Sequence, residues 1–485
     1  MNSKDLAQFI DDSVQNTSIN DLESQYKQIS LMNDIYEGRG GIPVARRYKN
    51  NKEVVYIDDS LVNNLIVGRT RSGKSEDFII PMLDIYSRAE EKSSLIIHDT
   101  NNELYSKFKE TFENRGYEVI YFTPYYKNSS IKYNPLELIK RAYKDEHYSE
   151  AQLLCNILTH SLYDDPNTKD PFWENSAKSL VNALILAICD ECIKNGEEDK
   201  ITLYTVAKML SELGGSSENI EDKEVNKLDE YFKKLPKESV AKSQYATISF
   251  ADGNIRGAIL SMAMSKLQNF TVEEIAKMTS KNSLELKDIG FINDENSKPK
   301  VIFIESDTYN TSNSVLVSIF IRQIYYSLSK QALLSKDKKC DREVNFILDD
   351  FFEIAPIMDM QNIMSVCLGR NIKFNLVIRD FCQLDKLYRD DSKTIIGNCG
   401  NVIYLGCSFE TNREIQKVYL DKYIDKNKVD SEFLNELFLF SGKGSILFRN
   451  KRIDNNGNKI IPYPIFNFEE NEMKSGHTYL EYIKK

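Results

Sequence analysis

The chain has 485 residues, 73 of them acidic and 63 basic, so its formal net charge is −10. Hydrophobic residues make up 41% and charged residues 28%, a globular composition that excludes wholesale disorder. The acidic balance argues against a protein that coats itself with nucleic acid, so any such contact would use a local basic surface. No apolar run approaches the roughly 20 residues of a membrane-spanning helix, and we expect no such helix in this chain.

The start of the chain and its cysteines predict a cytosolic protein. The first forty residues are polar and acidic, which is not typical of a signal peptide. Eight scattered cysteines indicate reduced thiols. Cys189 and Cys192 form a CxxC inside an apolar helical pattern without a second pair, so buried thiols are favoured over a metal site.

In chain order, residues 1–40 predict helical segments with a flexible end at Gly38–Gly41. From about residue 53 the pattern changes to short apolar strands separated by helices. These strands are predicted at residues 54–57, 64–67, 94–97 and 118–122. Alternation of this kind indicates a parallel sheet with helices on both faces.

The middle of the chain, from about residue 136 to residue 289, carries no strand pattern. Apolar residues recur there at spacings of three and four, in segments 151–162, 172–192, 203–213 and 257–267. We interpret residues 141–285 as an all-helical domain inserted into the sheet domain. Strands return at 300–304, 344–348, 374–378, 401–405 and 444–448. The sheet domain would then comprise residues 41–140 and 286–470, followed by a tail at 471–485.

The strongest local motif fits G-x-x-x-x-G-K-[ST] in full, between a predicted strand and a predicted helix. It consists of Gly68, Arg69, Thr70, Arg71, Ser72, Gly73, Lys74 and Ser75, and the helix is predicted from Glu76. Backbone N–H groups of such a loop surround phosphates, the lysine reaches the β- and γ-phosphates, and the hydroxyl of Ser75 binds Mg²⁺. The alternative is a chance glycine-rich turn. The strand–loop–helix context favours a site for ATP with Mg²⁺.

A nucleoside triphosphatase also needs an acidic residue at a strand end to hold the metal. Asp349 and Asp350 follow the apolar segment 344–348. Asp349 would hold Mg²⁺ directly or through water, and Asp350 would orient or activate the attacking water. An Asp-Asp pair after a strand is common, so this assignment depends on the phosphate-binding loop.

Several further segments, in this order, resemble the type IV secretion coupling proteins, the TraG/TraD-like conjugation ATPases. The resemblance runs from Gly40 to Ile465, and its order and spacing matter more than any one segment except the loop. The segments are Gly40–Pro43, Leu65–Ser75, Asp99–Tyr105, Tyr133–Leu136, Asp170–Glu174, Leu348–Phe351, Gly369–Ile372, and Gln383 with Leu384, Tyr388, Asn398 and Cys399.

The resemblance implies an α/β fold. It would be a RecA-like P-loop NTPase domain with a mostly parallel sheet, interrupted by an inserted all-α domain. It also implies a homohexameric ring that delivers relaxase-bound single-stranded DNA to the type IV secretion channel by using ATP. The family usually has two N-terminal transmembrane helices. We therefore expect a cytoplasmic chain at the inner face of the cell membrane, with its anchor in a missing segment or in a partner.

Two residues acquire candidate roles from this resemblance. Arg370 would reach the ATP of the next subunit and neutralise charge on the γ-phosphate, although an ordinary surface ion pair is an equal alternative. Gln383 would sense the γ-phosphate through a water molecule, or would be an ordinary residue at a helix N-terminus.

The chain also departs from the family pattern near the expected nucleotide. Asp350 replaces the usual glutamate, Arg379 stands where glutamine is common, and Asn101 replaces a lysine. Arg69 and Arg71 occupy loop positions where small or neutral residues are commoner. The sequence therefore leaves three functions open: a DNA-moving ATPase, an adaptor that binds ATP but hydrolyses little, and a double-stranded DNA pump of the FtsK/HerA type.

Overall fold

The computed structural model describes most of the chain between residue 25 and residue 448. The described residues are 25–30, 35–49, 52–100, 102–124, 128–165, 168, 170–215, 217–220, 223–251, 253–306, 313–405, 437–441 and 444–448. Predicted features at residues 1–24, at Asn101 and in the tail at 471–485 lie outside them. The described residues form a small N-terminal sheet, a large central sheet and a helical unit between two strands of the central sheet.

The strands and helices have the following bounds. The strands are β1 Lys27–Ser30, β2 Tyr36–Arg39, β3 Ile42–Lys49, β4 Lys52–Asp58, β5 Asn63–Val67, β6 Ala89–Glu91, β7 Ser94–His98, β8 Glu118–Phe122, β9 Ser217–Ile220, β10 Lys223–Asn226, β11 Lys300–Ile304, β12 Val344–Leu348, β13 Ile372–Ile378, β14 Cys399–Tyr404, β15 Leu437–Ser441 and β16 Gly444–Phe448. The α-helices are α1 Ile80–Arg88, α2 Glu103–Asn114, α3 Glu137–Lys144, α4 Tyr148–Tyr163, α5 Phe172–Asn195, α6 Leu203–Gly214, α7 Lys227–Lys234, α8 Val240–Ser249, α9 Gly253–Leu267, α10 Glu273–Met278, α11 Ser314–Leu334, α12 Met360–Val366, α13 Phe381–Tyr388 and α14 Asp391–Gly397. Single 3-10 turns lie at Glu198–Lys200, Gln268–Thr271, Leu286–Ile289, Phe351–Glu353 and Cys367–Arg370, and a π-helical turn lies at Lys74–Ile79.

The central sheet is parallel except at one edge. Its parallel strands follow the order β14-β5-β13-β12-β7-β11-β8, and β15 and β16 continue it beyond β14 as an antiparallel pair. Every residue of β5, β7, β12 and β13 is buried, as a sheet covered on both faces requires. The structure confirms the predicted α/β class with a mostly parallel sheet.

Buried asparagines on neighbouring strands of the central sheet form hydrogen bonds with one another. Asn64 on β5 is opposite Asn375 on β13 and Asn401 on β14. The amide of Asn64 donates to Asn375 over 2.6 Å, and Asn401 donates to Asn64 over 2.9 Å. Asn375 in turn donates to the carbonyl of Phe346 on β12 over 3.2 Å. Because buried polar groups need such partners, this ladder also specifies which strands are neighbours.

Alternate residues of the strands enter two apolar layers. Ile66 and Ile97 face the layer that contains α1 and α2, whereas Leu65 and Ile96 face the layer on the opposite side of the sheet. This second layer is continuous with the interior of the inserted helices α3 to α10. The helical unit and the sheet therefore share one core.

The helical unit begins and ends at the same place on the sheet domain. The amide of Lys132 donates to the hydroxyl of Ser283 over 2.9 Å, and the amide of Ser283 donates to the carbonyl of Lys132 over 3.0 Å. Next to them, the buried amide of Gln323 on α11 donates to Pro135 O and accepts from the Tyr133 hydroxyl, both over 2.8 Å. The predicted bounds of the inserted domain, residues 141–285, stay a prediction.

Two parts of the sequence prediction are wrong where the structure describes them. Residues 25–40 were predicted to be helical but contain β1 and β2. Ile29 pairs with Val55 across β1 and β4, so the few apolar residues here are buried by strand pairing and not along a helix face. Within the helical unit, β9 and β10 form an antiparallel hairpin that the pattern did not predict.

The thiols of Cys189 and Cys192 are free and buried within α5, as the apolar helical pattern predicts.

Across the ranges that the structure describes, no helix combines the length and apolarity that crossing a membrane requires.

Candidate nucleotide-binding site

The phosphate-binding loop joins β5 to a helix at the carboxyl edge of the sheet. The amide of Gly68 donates to Ile378 O at the end of β13 over 3.0 Å, and the amide of Ser72 donates to Arg69 O over 3.1 Å. Gly73 has a φ of 94°, a left-handed conformation that glycine adopts without strain. The helix begins at Lys74 with a π-helical turn and continues as α1, so it starts two residues before the predicted Glu76.

The loop encloses a space that suits a phosphate. A Cβ atom at Gly68 would lie 2.5 Å from Ser72 Oγ and 3.0 Å from Leu405 Cβ, so no larger residue fits there. The buried hydroxyl of Ser72 has no hydrogen-bond partner among the described residues. A buried polar atom without a partner is costly, and an anion in the loop would satisfy it.

Lys74 lies inside this loop. Its ammonium group donates to the carbonyl oxygens of Gly68 and Arg69 over 2.8 and 3.3 Å, and its side chain is buried. These contacts hold a positive charge in the concave side of the loop, where phosphate oxygens would bind. Ser75 follows at the first turn of the helix and lines the same cavity.

Asp349 and Asp350 directly follow β12, and one strand, β13, lies between β12 and β5. The amide of Asp350 donates to the Asp349 carboxylate over 2.9 Å, and Asp350 has a left-handed φ of 43°. Burial, together with the negative charge of Asp350, raises the pKa of Asp349 to about 7, although the charge of Lys74 opposes both. A divalent cation would favour the ionised form of Asp349, so this position suits a metal ligand.

His98 fixes the segment that carries Asp349, and the sequence did not identify it. It ends β7, next to β12, and its side chain is fully buried. Nδ1 lies 2.5 Å from Asp349 O and donates to it, since a carbonyl can only accept. Nε2 then accepts from the hydroxyl of Ser306 over 2.7 Å. Burial lowers the pKa of His98 to about 4, so the ring is neutral at neutral pH.

Asp99 is a second residue that the sequence did not single out, except within the family segment 99–105. Its carboxylate accepts from the amides of Glu103 and Tyr105 over 3.1 and 2.8 Å, which caps the start of α2. Burial raises its pKa to about 6. Asp99 therefore fixes the start of α2, whose residues Glu103 and Leu104 line the cavity.

Arg379, noted in the sequence only as a departure from the family, is the main cation beside Asp350. Its Nε and Nη2 atoms donate to the two oxygens of Asp350, both over 3.1 Å. Nη2 also donates to Glu353 over 3.1 Å, and the guanidinium lies 4.8 Å from the centre of the Phe352 ring. The hydrogen bonds to Asp350 raise the pKa of Arg379.

These residues surround a cavity of about 150 Å³. Its lining combines residues from the loop, from the ends of β7, β12 and β13, and from α2. They are Thr70, Arg71, Lys74, Ser75, Asp99, Thr100, Glu103, Leu104, Asp349, Asp350 and Arg379. The structure thus brings the loop and both aspartates that follow β12 together, while Arg69 and Glu76 are exposed and do not line the cavity.

Arg370 and Gln383 lie outside this lining. Arg370 precedes β13, at the opposite edge of the sheet, and donates to Ser329 O over 3.0 Å. Gln383 is on α13, where its side-chain oxygen accepts from the amide of Arg379 over 3.2 Å. The predicted roles of these two residues in catalysis stay predictions.

The order of the strands, the loop after β5 and the aspartates after β12 define a P-loop NTPase with a RecA-like core. A family model described as "Type IV secretory system Conjugative DNA transfer" matches residues 19–435. The chain therefore belongs to the family of type IV secretory system conjugative DNA transfer proteins, as the sequence resemblance predicted.

Solved structures of this fold include a bacterial conjugative coupling protein. TrwBdeltaN70, in its unbound monoclinic form, is 13% identical, with a TM-score of 0.60 over 91% of this chain and 96% of that chain. TrwB in complex with the ATP analogue ADPNP is 14% identical, with a TM-score of 0.58 over 83% and 87%. TrwB with ADP and Mg²⁺ is 13% identical, with a TM-score of 0.53 over 80% and 77%. No curated protein matches the chain.

Proposed function

We propose that this chain is an ATP-hydrolysing coupling protein of a conjugative type IV secretion system. It would receive single-stranded DNA bound to a relaxase and use ATP to deliver the DNA to the secretion channel. Family membership supports the conjugative role, and the ADPNP and ADP–Mg²⁺ complexes of TrwB support ATP and Mg²⁺ as ligands. The observation that carries the enzymatic part is the cavity that joins Lys74 and Ser75 to Asp349 and Asp350.

Each side chain of the cavity has a defined task in this proposal. Lys74 would exchange its loop carbonyl partners for β- and γ-phosphate oxygens. Ser75 and Asp349 would hold Mg²⁺, which supplies positive charge against the charge that develops on the phosphates. Asp350 would accept a hydrogen bond from the attacking water and so orient it. His98 would keep Asp349 in place through the carbonyl of that residue.

The proposal extends to an assembly and to a location. In a homohexamer, Arg370 of one subunit would act on the ATP of the next, since it does not line the cavity of its own chain. Gln383 would act on the site through the backbone of Arg379. The ring would lie at the inner face of the cell membrane and would contact channel components and the relaxosome.

A nucleotide-gated adaptor is the second candidate. One observation favours it: Asp350, the residue proposed to orient water, already forms two hydrogen bonds with Arg379. An adaptor of this kind would bind ATP, dock its substrates and hydrolyse little.

Steady-state ATP turnover tests the proposal. It would be measured with and without single-stranded DNA over a range of protein concentrations, beside Lys74→Ala and the matched exposed-lysine control Lys277→Ala. We expect turnover to rise with DNA and with concentration, to be lost in Lys74→Ala and to be kept in Lys277→Ala. ATP binding without turnover under all these conditions would contradict the motor and favour the adaptor.

A further inference from the structure

The contact between Arg379 and Asp350 is bidentate, which is the strongest geometry for an arginine and a carboxylate. Because both oxygens of Asp350 accept from the guanidinium, the carboxylate is oriented towards the arginine and its charge is compensated. In this arrangement Asp350 is poorly placed to accept a hydrogen bond from water. The pair therefore restrains the group that hydrolysis needs.

Solvent reaches the ion pair between Arg379 and Asp350. The side chain of Arg379 is 31% exposed, and it lines the cavity that Lys74 and Ser75 also line. Because solvent reaches this ion pair, a strong competing anion can replace the carboxylate. The third phosphate of a nucleoside triphosphate is such an anion, and it would enter beside Lys74.

Hydrogen bonds hold the backbone at Arg379 on both sides of the residue. The Arg379 amide donates to the side chain of Gln383, and Asp380 caps the same helix by accepting from the Gln383 amide over 2.9 Å. Arg379 also follows Ile378, whose carbonyl accepts from Gly68 in the phosphate-binding loop. The base of the arginine is therefore tied directly to the loop that would hold the phosphates.

The guanidinium of Arg379 contacts other groups besides Asp350. Asp350 and Glu353 are two carboxylates that share one guanidinium, and the ring of Phe352 covers one of its faces. A phosphate would compete for the open donors of the guanidinium, while Glu353 and Phe352 could keep the side chain within the cavity as Asp350 is released.

We propose that Arg379 is a triphosphate-controlled switch for Asp350, an inference that rests on the proposed ATPase function. Without a γ-phosphate, Arg379 holds Asp350 by two hydrogen bonds. When a triphosphate enters, the guanidinium donates to the γ-phosphate and Asp350 becomes free to accept from water. A diphosphate leaves the pair intact. Arg379 is thus a positioning residue that couples the presence of the γ-phosphate to the readiness of Asp350.

Equilibrium binding of ADPNP and of ADP, each with Mg²⁺, tests the switch without requiring hydrolysis. In Arg379→Gln we expect ADPNP affinity to fall about tenfold and ADP affinity to change less than about twofold, because a charged hydrogen bond to the γ-phosphate is lost. Arg379→Lys, which keeps the charge, should give an intermediate loss. Arg342→Gln, at the opposite edge of the sheet, is the matched control and should change neither affinity.

Asp350→Asn supplies the reciprocal test. Removing the carboxylate releases Arg379, so ADPNP should bind more tightly to Asp350→Asn than to the wild type, since both have Arg379. In the Arg379→Gln background the same substitution should have little effect, because the gain depends on the arginine. An equal gain in both backgrounds would mean simple charge repulsion between Asp350 and the nucleotide, and it would overturn the switch.

The outcomes separate the switch from the proposed function. Equal loss of ADPNP and ADP binding in Arg379→Gln would mean a structural role and would overturn the switch alone. If the wild-type chain binds neither nucleotide, or Lys74→Ala binds both as well as the wild type does, the proposed function fails and the switch fails with it. Thermal unfolding of each variant beside the wild type identifies any variant that does not fold, in which case Arg379→Lys decides.

Discussion

At the scale of single residues, the cavity depends on side chains that never line it. His98 holds the carbonyl of Asp349, and Gln383 holds the amide of Arg379. Both bind backbone atoms, so they fix the main-chain positions from which the side chains of Asp349 and Arg379 extend. A motif search finds the residues that contact phosphate or metal, but it does not find residues of this supporting kind, because their partners are distant in sequence.

His98→Phe is expected to destabilise the chain by about 2 kcal/mol at pH 7.5, because the substitution leaves Asp349 O and the Ser306 hydroxyl without their partners. Denaturant unfolding followed by circular dichroism measures the change. His147→Phe is the matched control, since the side chain of His147 is 66% exposed. It should shift the free energy of unfolding by less than about 0.5 kcal/mol.

The pH dependence of this difference has a definite sign. The pKa of His98 is lowered from 6.5 to about 4, so between these values the unfolded chain binds a proton that the folded chain does not. The stability contributed by neutral His98 is complete above pH 6.5 and is lost as the pH falls towards 4, by about 1.4 kcal/mol per pH unit. The difference in free energy of unfolding between the wild type and His98→Phe should therefore narrow below pH 6.5, close at about pH 5 and reverse in sign towards pH 4. Asp99 and Asp349, whose pKa values are raised, act in the opposite direction in both proteins. A gap that stays constant or widens would contradict the assignment of a neutral buried ring.

At the scale of elements, the parallel strands of the central sheet were predictable, as was β4, whereas β1 and β2 were not. A strand such as β12 is buried on both faces, so it appears in the sequence as a short continuous apolar run. β1 and β2 are partly exposed, and their few apolar residues fit a helix face as well as a strand. The same limit applies to the site: the loop motif is local, whereas the pairing of Arg379 with Asp350 exists only after folding.

The helices on one face of the sheet are joined by a buried ion pair that offers a test at this scale. Asp84 on α1 accepts from Arg88 in two hydrogen bonds of 3.0 Å and from Arg115, after α2, over 2.8 Å. The side chains of Asp84 and Arg88 are 0% exposed.

Asp84→Asn should therefore lower the free energy of unfolding by about 3 kcal/mol, because it removes the buried carboxylate charge that faces the guanidinium of Arg88. Denaturant titration gives the value. Lys277→Ala breaks an exposed pair with Glu273 and should change it by less than about 0.5 kcal/mol. A loss as small as that of Lys277→Ala would show that water reaches Arg88.

At the scale of the whole molecule, the helical unit and the sheet share one apolar layer and are further linked by Gln323. This predicts that they unfold together and not one after the other. Trp173 is the only tryptophan of the chain and lies on α5 in the helical unit, so its fluorescence reports on that unit alone.

The midpoint of the Trp173 signal in denaturant should coincide with the midpoint of circular dichroism, which reports on all helices. Saturating ADPNP with Mg²⁺ should shift both midpoints equally, although the cavity is formed by the sheet domain, because a ligand stabilises the whole cooperative unit. Trp173→Phe removes the fluorescence signal and checks its origin. Separate midpoints, or a shift of the dichroism signal alone, would indicate two independent units.

The order of strands in the central sheet has a consequence for how the chain is made. β5, which precedes the phosphate-binding loop, pairs with β13 and β14. Asn64 on β5 donates to Asn375, which is 311 residues later in the chain. Likewise β8 pairs with β11, which follows the helical unit in the sequence. The contacts within that unit are local and can form while the ribosome is still translating. The loop that would bind ATP thus emerges early but gains its neighbours almost last, so the growing chain has no nucleotide site until most of its length has been synthesised.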